Sequence, residues 1–224
     1  LAPSFAGAAQ QDRIATTYRN QWASLQGAYV TYSFSYDHYF DNFNSGIGVL
    51  LLRDVAGSGD LALTNAGIQY SYDIKINNFW HIRPGLQLYY TQMGIDYFKL
   101  TWNDELTTSG TGSTTVELPG FNVVPNMDIS TSALIYSERY WGGFAVDHLL
   151  TPSYGFWDPT NEDASMPMKL TVFGGAQVIR RGHLFNPVDE SLSLAFLFRH
   201  QDFFNQLDVG LYWFKSPIML GFWY

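Results

Sequence analysis

The 224-residue chain sets 12 Lys and Arg against 20 Asp and Glu, a formal net charge of −8, and has no cysteine. A disulfide-stapled scaffold and a thiolate metal site are therefore excluded. Nucleic acid is disfavoured as a partner, because phosphate binding needs clustered Lys and Arg. Aromatic residues make up 17% and charged residues only 14%, against about 25% charged in an average soluble domain, yet mean hydropathy is −0.09. That combination does not suit a helical membrane protein. It suits a barrel with one face in lipid and the other in water. Uninterrupted apolar runs such as residues 49–52 fall far short of the ~18 residues of a membrane-crossing helix. Residues 1–15 lack a basic stretch followed by an apolar one, so an exported chain would already have lost its signal peptide.

In chain order, a first strand ends near Arg19, Gln21 and Trp22. From Val30 the period is two: Val30, Tyr32, Phe34 and Tyr36 alternate with Thr31, Ser33, Ser35 and Asp37, a strand with one wet face. Residues 54–60 read as a hairpin loop. The alternation resumes with Ile68, Tyr70, Tyr72, Ile74 and Ile76 against Gln69, Ser71, Asp73, Lys75 and Asn77. Trp80, Ile82, Leu86, Leu88 and Tyr90 continue it, opposite His81, Arg83, Gln87 and Tyr89. Polar loops are expected at residues 107–115 and 157–164, and breaks at 151–152, 181–182 and 216–217. Late strands oppose Leu192, Leu194, Phe196 and Phe198 to Ser191, Ser193 and Arg199, and Leu207, Val209, Leu211 and Trp213 to Asp208, Gly210 and Tyr212.

The fold expected is all-β: an antiparallel transmembrane β-barrel of the outer membrane, a single domain over residues 1–224, with about 12 strands here and about 14 when complete. The competing reading is a soluble sandwich or lipocalin-like barrel. Two features weigh against it. Trp22, Trp80, Trp141 and Trp213 stand near strand ends, where membrane barrels place interface aromatics. The polar faces also carry charges that a water-filled lumen accepts and a dry core does not. Asp37, Asp73, Arg83, Asp147 and Arg199 are candidates for lumenal pairing. Arg19 is expected either to make an inward salt bridge or hold a plug segment, or to snorkel to the interface.

The chain also resembles the PorP/SprF family. Pro3-Ser4-Phe5-Ala6-Gly7 is similar to the family's opening Asn-Pro-Ala-Tyr-Ala-Gly, and Tyr18-Arg19-Asn20-Gln21-Trp22 to its Tyr-Arg-x-Gln-Trp. Gly46-Ile47-Gly48-Val49 with Asp54, Ala56 and Gly57, then Tyr70-Ser71-Tyr72 and Gly85-Leu86, follow in order. Trp141-Gly142-Gly143, Asp147-His148-Leu149 and Pro152 resemble its Trp-x-Gly, His-Leu and Pro block, and residues 217–224 its late strand. Asp104-Glu105 and Ser132-Ala133 depart from the pattern, and the family's usual length implies missing residues at both ends. The resemblance implies an outer-membrane barrel of the type IX secretion and gliding machinery in Bacteroidetes-type bacteria. Its implied partners are outer-membrane lipid, the C-terminal domain of a large secreted surface protein such as a gliding adhesin, and periplasmic or outer-membrane secretion components.

Catalytic and metal chemistry find little support. His38, His81, His148, His183 and His200 lack metal-ligand spacing, so neither metal nor cofactor is expected. His148 reads as a hydrogen-bonded structural residue. There is no Gly-x-Ser-x-Gly elbow and no compelling Ser–His pair. Asp158, Glu162 and Asp163 could be assembled into a carboxylate pair, but loop acids are usually solvated. Gly46-Ile47-Gly48 is too strand-like for a nucleotide loop. The protein is expected not to be an enzyme. A pore or solute transporter is the alternative to a secretion role.

Overall fold

The structure, a computed structural model, describes residues 2–24, 27–102, 105–107, 110–111, 120–157, 164–183 and 186–224. The polar stretches expected at residues 107–115 and 157–164 lie largely outside these, including Asp158, Glu162 and Asp163, and so does Asp104. Among the described residues fourteen strands form: β1 (Arg13–Gln21), β2 (Tyr29–Phe40), β3 (Ser45–Ala56), β4 (Leu61–Tyr72), β5 (Ile74–Lys75), β6 (His81–Gly94), β7 (Leu106–Thr107), β8 (Gly110–Thr111), β9 (Val123–Tyr136), β10 (Tyr140–Asp147), β11 (Lys169–His183), β12 (Asn186–Gln201), β13 (Phe204–Lys215) and β14 (Ile218–Trp223). Twelve belong to one antiparallel sheet, in which each long strand pairs with its neighbours in sequence; β7 and β8 pair separately. The path runs from β1 to β14 without closing one onto the other. Among the described residues the helical elements are three-residue 3-10 turns, the first at Pro3–Phe5.

The register explains the period-two pattern. Tyr36, Val49, Ile68 and Leu88 lie side by side across β2, β3, β4 and β6 and are exposed apolar groups. On the other face of the same strands Asp37, Gly48, Gln69 and Gln87 form the matching row, and all but half-buried Gln69 are buried. The polarity is inverted relative to a soluble protein: Arg83 and Asp128 are each 1% exposed, while Ile68 is 63% exposed. A one-residue shift of register would exchange the two faces entirely.

The two rims differ. At one, β2 to β3, β6 to its predecessor, β9 to β10 and β13 to β14 are joined by short turns; one of them is tied by Asn77 Oδ1 accepting from the amides of Phe79 and Trp80. At the other, residues 95–122 and 148–168 make the long connections. The hairpin expected at 54–60 is tighter than its sequence suggests: β3 continues to Ala56, and only residues 57–60 turn.

Candidate functional site in the lumen

The inner face of the sheet is covered at its short-turn end by the chain's own start. Pro3–Phe5 makes a 3-10 turn, closed by Phe5 N–H to Ala2 O at 3.0 Å and Ala6 N–H to Pro3 O at 3.1 Å. Proline suits the first position because it has no amide proton to satisfy there. The turn lies against β4, β6 and β9. Arg83 Nη2 donates to Ala6 O at 2.7 Å and to Ser71 Oγ at 2.9 Å, and Nη1 donates to Gly7 O at 3.3 Å. Ser71 Oγ donates to Ala6 O at 2.7 Å. Asp37 Oδ1 accepts from Gly7 N–H at 2.7 Å, and Ser132 Oγ accepts from Ser4 N–H at 2.8 Å. The Phe5 ring packs on Phe173 at 5.3 Å between centroids and on Trp141 at 6.5 Å.

Beneath this plug lies an ionic cluster. Asp73 is 3.9 Å from Arg83 Nη1, accepts from Tyr136 Oη at 2.6 Å, and bonds His81 Nδ1 at 3.0 Å. Arg83 also stands over the Tyr39 ring at 5.4 Å, close enough for a cation–π contact. So buried a guanidinium is tolerated because a carboxylate and two carbonyls face it together.

A second cluster pins the long loop after β10. Asp128 accepts from Tyr89 Oη at 2.6 Å, from Ile129 N–H at 2.7 Å and from Leu150 N–H at 3.3 Å, and bonds His148 Nδ1 at 2.8 Å. Asn126 Nδ2 reaches Ser153 O at 2.7 Å, and Thr91 Oγ1 bonds Tyr154 Oη at 3.1 Å. Burial pushes the Tyr154 phenol up from its ordinary value. Further along the loops, Tyr97 packs among Trp102, Phe156 and Trp157, and burial raises its phenol too.

Of the residues singled out from sequence, Asp37 pairs with Arg13 at 2.8 Å, Asp147 with Lys169 at 3.0 Å, and Arg199 with Asp208 at 3.4 Å. All lie on the inner face by register. Arg19 stands opposite Thr31 on that face but is exposed. The plug is held by Arg83, not by Arg19, because the plug sits at the short-turn end and Arg19 at the other. Trp141 corrects an expectation. It is on the inner face, across from Tyr136 and Gly175 and against Phe173, since its register parity is that of Leu134 and Phe173. It is therefore not an interface aromatic. Trp213 points outward and donates Nε1–H to Glu190 Oε1 at 3.1 Å. Trp80 closes the turn before β6, and Trp22 packs on Tyr29 at 5.2 Å. Asp128, Tyr89, Ser71 and Ser132 were not singled out. For Asp128 and Ser132 the signal is the run of polar groups at Asn126, Asp128, Ser130 and Ser132, which share one face of β9.

Comparison with protein families matches the whole chain, residues 1–224, to the type IX secretion system membrane protein family PorP/SprF. The chain belongs to the PorP/SprF family. No curated protein and no solved structure matches. PorP/SprF membership gives the inverted sheet its meaning: it is a transmembrane β-barrel wall, with apolar rows toward lipid and polar rows toward the lumen, in a protein that works in type IX secretion. No helix among the described residues is long and apolar enough to cross a membrane.

The lipid assignment makes a prediction. Leu88 sits mid-strand in β6 and is 50% exposed on the outward face. Leu88→Arg is expected to cost about 2–4 kcal/mol of folding stability in lipid vesicles, as for a cation near the bilayer midplane. The same change on a water-facing sheet would lie within about 0.5 kcal/mol of neutral. Urea titration of the vesicle-folded barrel, read by heat-modifiable gel migration, separates the two.

Proposed function

We propose that this protein is a non-enzymatic outer-membrane anchor of the type IX system. Its rims hold the C-terminal domain of a large exported surface protein, such as a gliding adhesin, and engage periplasmic secretion components. The observation that carries anchoring over transport is the occupied lumen: residues 3–7 are seated on the inner wall by five hydrogen-bonding side-chain contacts from Arg83, Ser71, Asp37 and Ser132. In membrane barrels short turns are periplasmic and long loops extracellular. That orientation puts the plug on the periplasmic side and the pinned loops around Asp128 at the cell surface. The buried carboxylates of Asp73 and Asp128 are engaged by tyrosine hydroxyls and histidines, which supports a structural over a catalytic use.

The test is purification from outer membranes in a mild detergent. A large adhesin or type IX components should accompany the barrel. Recovery of the barrel alone would overturn the anchoring role. In planar bilayers the purified protein is expected to show no steady conductance; a steadily open channel would favour the pore reading instead.

A further inference from the structure

The plug adds no strand to the sheet. It contributes the Pro3–Phe5 turn and the turns that follow it, closed by Ala8 N–H to Phe5 O and Gln10 N–H to Gly7 O, and Ala9, Gln10, Gln11 and Asp12 are exposed. Its departure would break no rung of the strand ladder. Every polar tie from the wall goes to its main chain: the amides of Ser4 and Gly7 and the carbonyls of Ala6 and Gly7. The Ser4 hydroxyl itself has no hydrogen-bond partner, and neither has Arg83 Nε. Side-chain selection comes from shape alone. Phe5 enters the aromatic corner of Trp141 and Phe173. A Cβ on Gly46 would stand 2.0 Å from Ala6 O, and one on Gly85 would stand 2.2 Å from Ser4 N. Gly7 has a φ of +66°, which favours glycine there.

Main-chain recognition of this kind does not depend on which chain supplies the main chain. An empty cradle would leave a buried guanidinium with too few acceptors, a large penalty. An exchange of one peptide turn for another would avoid it. We propose that the inner wall at the short-turn rim is a peptide-binding cradle, occupied in cis by residues 3–7. It is exchangeable in trans with a second peptide of the same pattern: proline, a small residue, an aromatic, a small residue and glycine. This goes beyond the anchoring role and stands without it.

The test uses the full chain, whose lack of cysteine allows a single thiol. Ser4 is fully buried and its hydroxyl makes no bond, so Ser4→Cys is nearly isosteric and hides a thiol that is reached only when the plug leaves. The labelling rate with a bulky maleimide then reports the displaced population. A synthetic Ala-Pro-Ser-Phe-Ala-Gly-Ala peptide at millimolar concentration is expected to raise that rate about tenfold. The same peptide with aspartate in place of phenylalanine should leave it unchanged. Gly85→Ala in the Ser4→Cys background is the release control and should label quickly without peptide. If that variant fails to show heat-modifiable migration, the peptide arm decides alone. An unchanged rate with the matching peptide, or an equal rise with the aspartate peptide, overturns the proposal.

Discussion

Arg83→Ala is expected to lower the stability of the folded barrel by about 3–5 kcal/mol, the range for stripping one partner from a buried, hydrogen-bonded charge pair. The guanidinium is 1% exposed and does four things at once. It faces Asp73, carries the carbonyls of Ala6 and Gly7, bonds Ser71 Oγ and lies over Tyr39. Its loss leaves the Asp73 carboxylate in a poorly hydrated site with only His81 and Tyr136, and it frees two carbonyls that have few other donors. Arg83→Lys should recover only part of the loss, since an ammonium cannot present a planar fork to carbonyl, hydroxyl and carboxylate together. Arg19→Ala, by contrast, removes an exposed cation from the opposite end of the lumen and is expected to change stability by less than about 0.5 kcal/mol. Denaturant titration of the barrel in detergent or vesicles measures all three. Equal stability of the Arg83→Ala and Arg19→Ala proteins would mean that the plug is not held as described.

Asp128→Ala is expected to release the loop that follows β10. One carboxylate takes the Tyr89 hydroxyl, His148 Nδ1 and the Leu150 amide. Each bond to a charged acceptor is worth about 1.5–3 kcal/mol, and because they share one group their losses do not simply add; a total of about 3 kcal/mol is expected. The effect should be local as well as global. His148 and Thr151 hold left-handed backbone conformations, with φ of 61° and 44°, that strain non-glycine residues and persist only where contacts enforce them. Limited proteolysis is therefore expected to cut within residues 148–157 of the Asp128→Ala protein much faster than in the parent. Asp128→Asn keeps shape and one acceptor oxygen, and should fall between. A loop that stays protected in Asp128→Ala would show that Asn126, Thr91 and the aromatic contacts hold it without the carboxylate.

Both effects arise from inner-face groups that were unequally visible beforehand. Arg83, Asp73 and Asp37 could be placed on one face from alternation alone, because side chains on a strand repeat every two residues. Their partners could not. Arg13 meets Asp37, and His81 and Tyr136 meet Asp73, across strand pairings that depend on register. Asp128 is as buried as Arg83, but its chain neighbours show nothing of Tyr89 or His148, which come from other segments. Trp141 shows the limit from the other side. Composition and position near a strand end suggested an interface residue, whereas its parity with Phe173 turns it to the lumen.

The alternation and the scarcity of charge were enough to read an antiparallel membrane barrel and its lipid face, since these follow from local periodicity and from the chemistry that hydrocarbon permits; the place in type IX secretion came only from the resemblance of the ordered motifs to the PorP/SprF family. What the folded chain added is non-local: the first residues bend back onto the wall, and Gly46, Gly85, Ser71 and Ser132 receive them. A backbone approach between segments 65 or 128 residues apart leaves no periodic trace, because it is set by where the strands lie in space and not by the order of residues along any one of them.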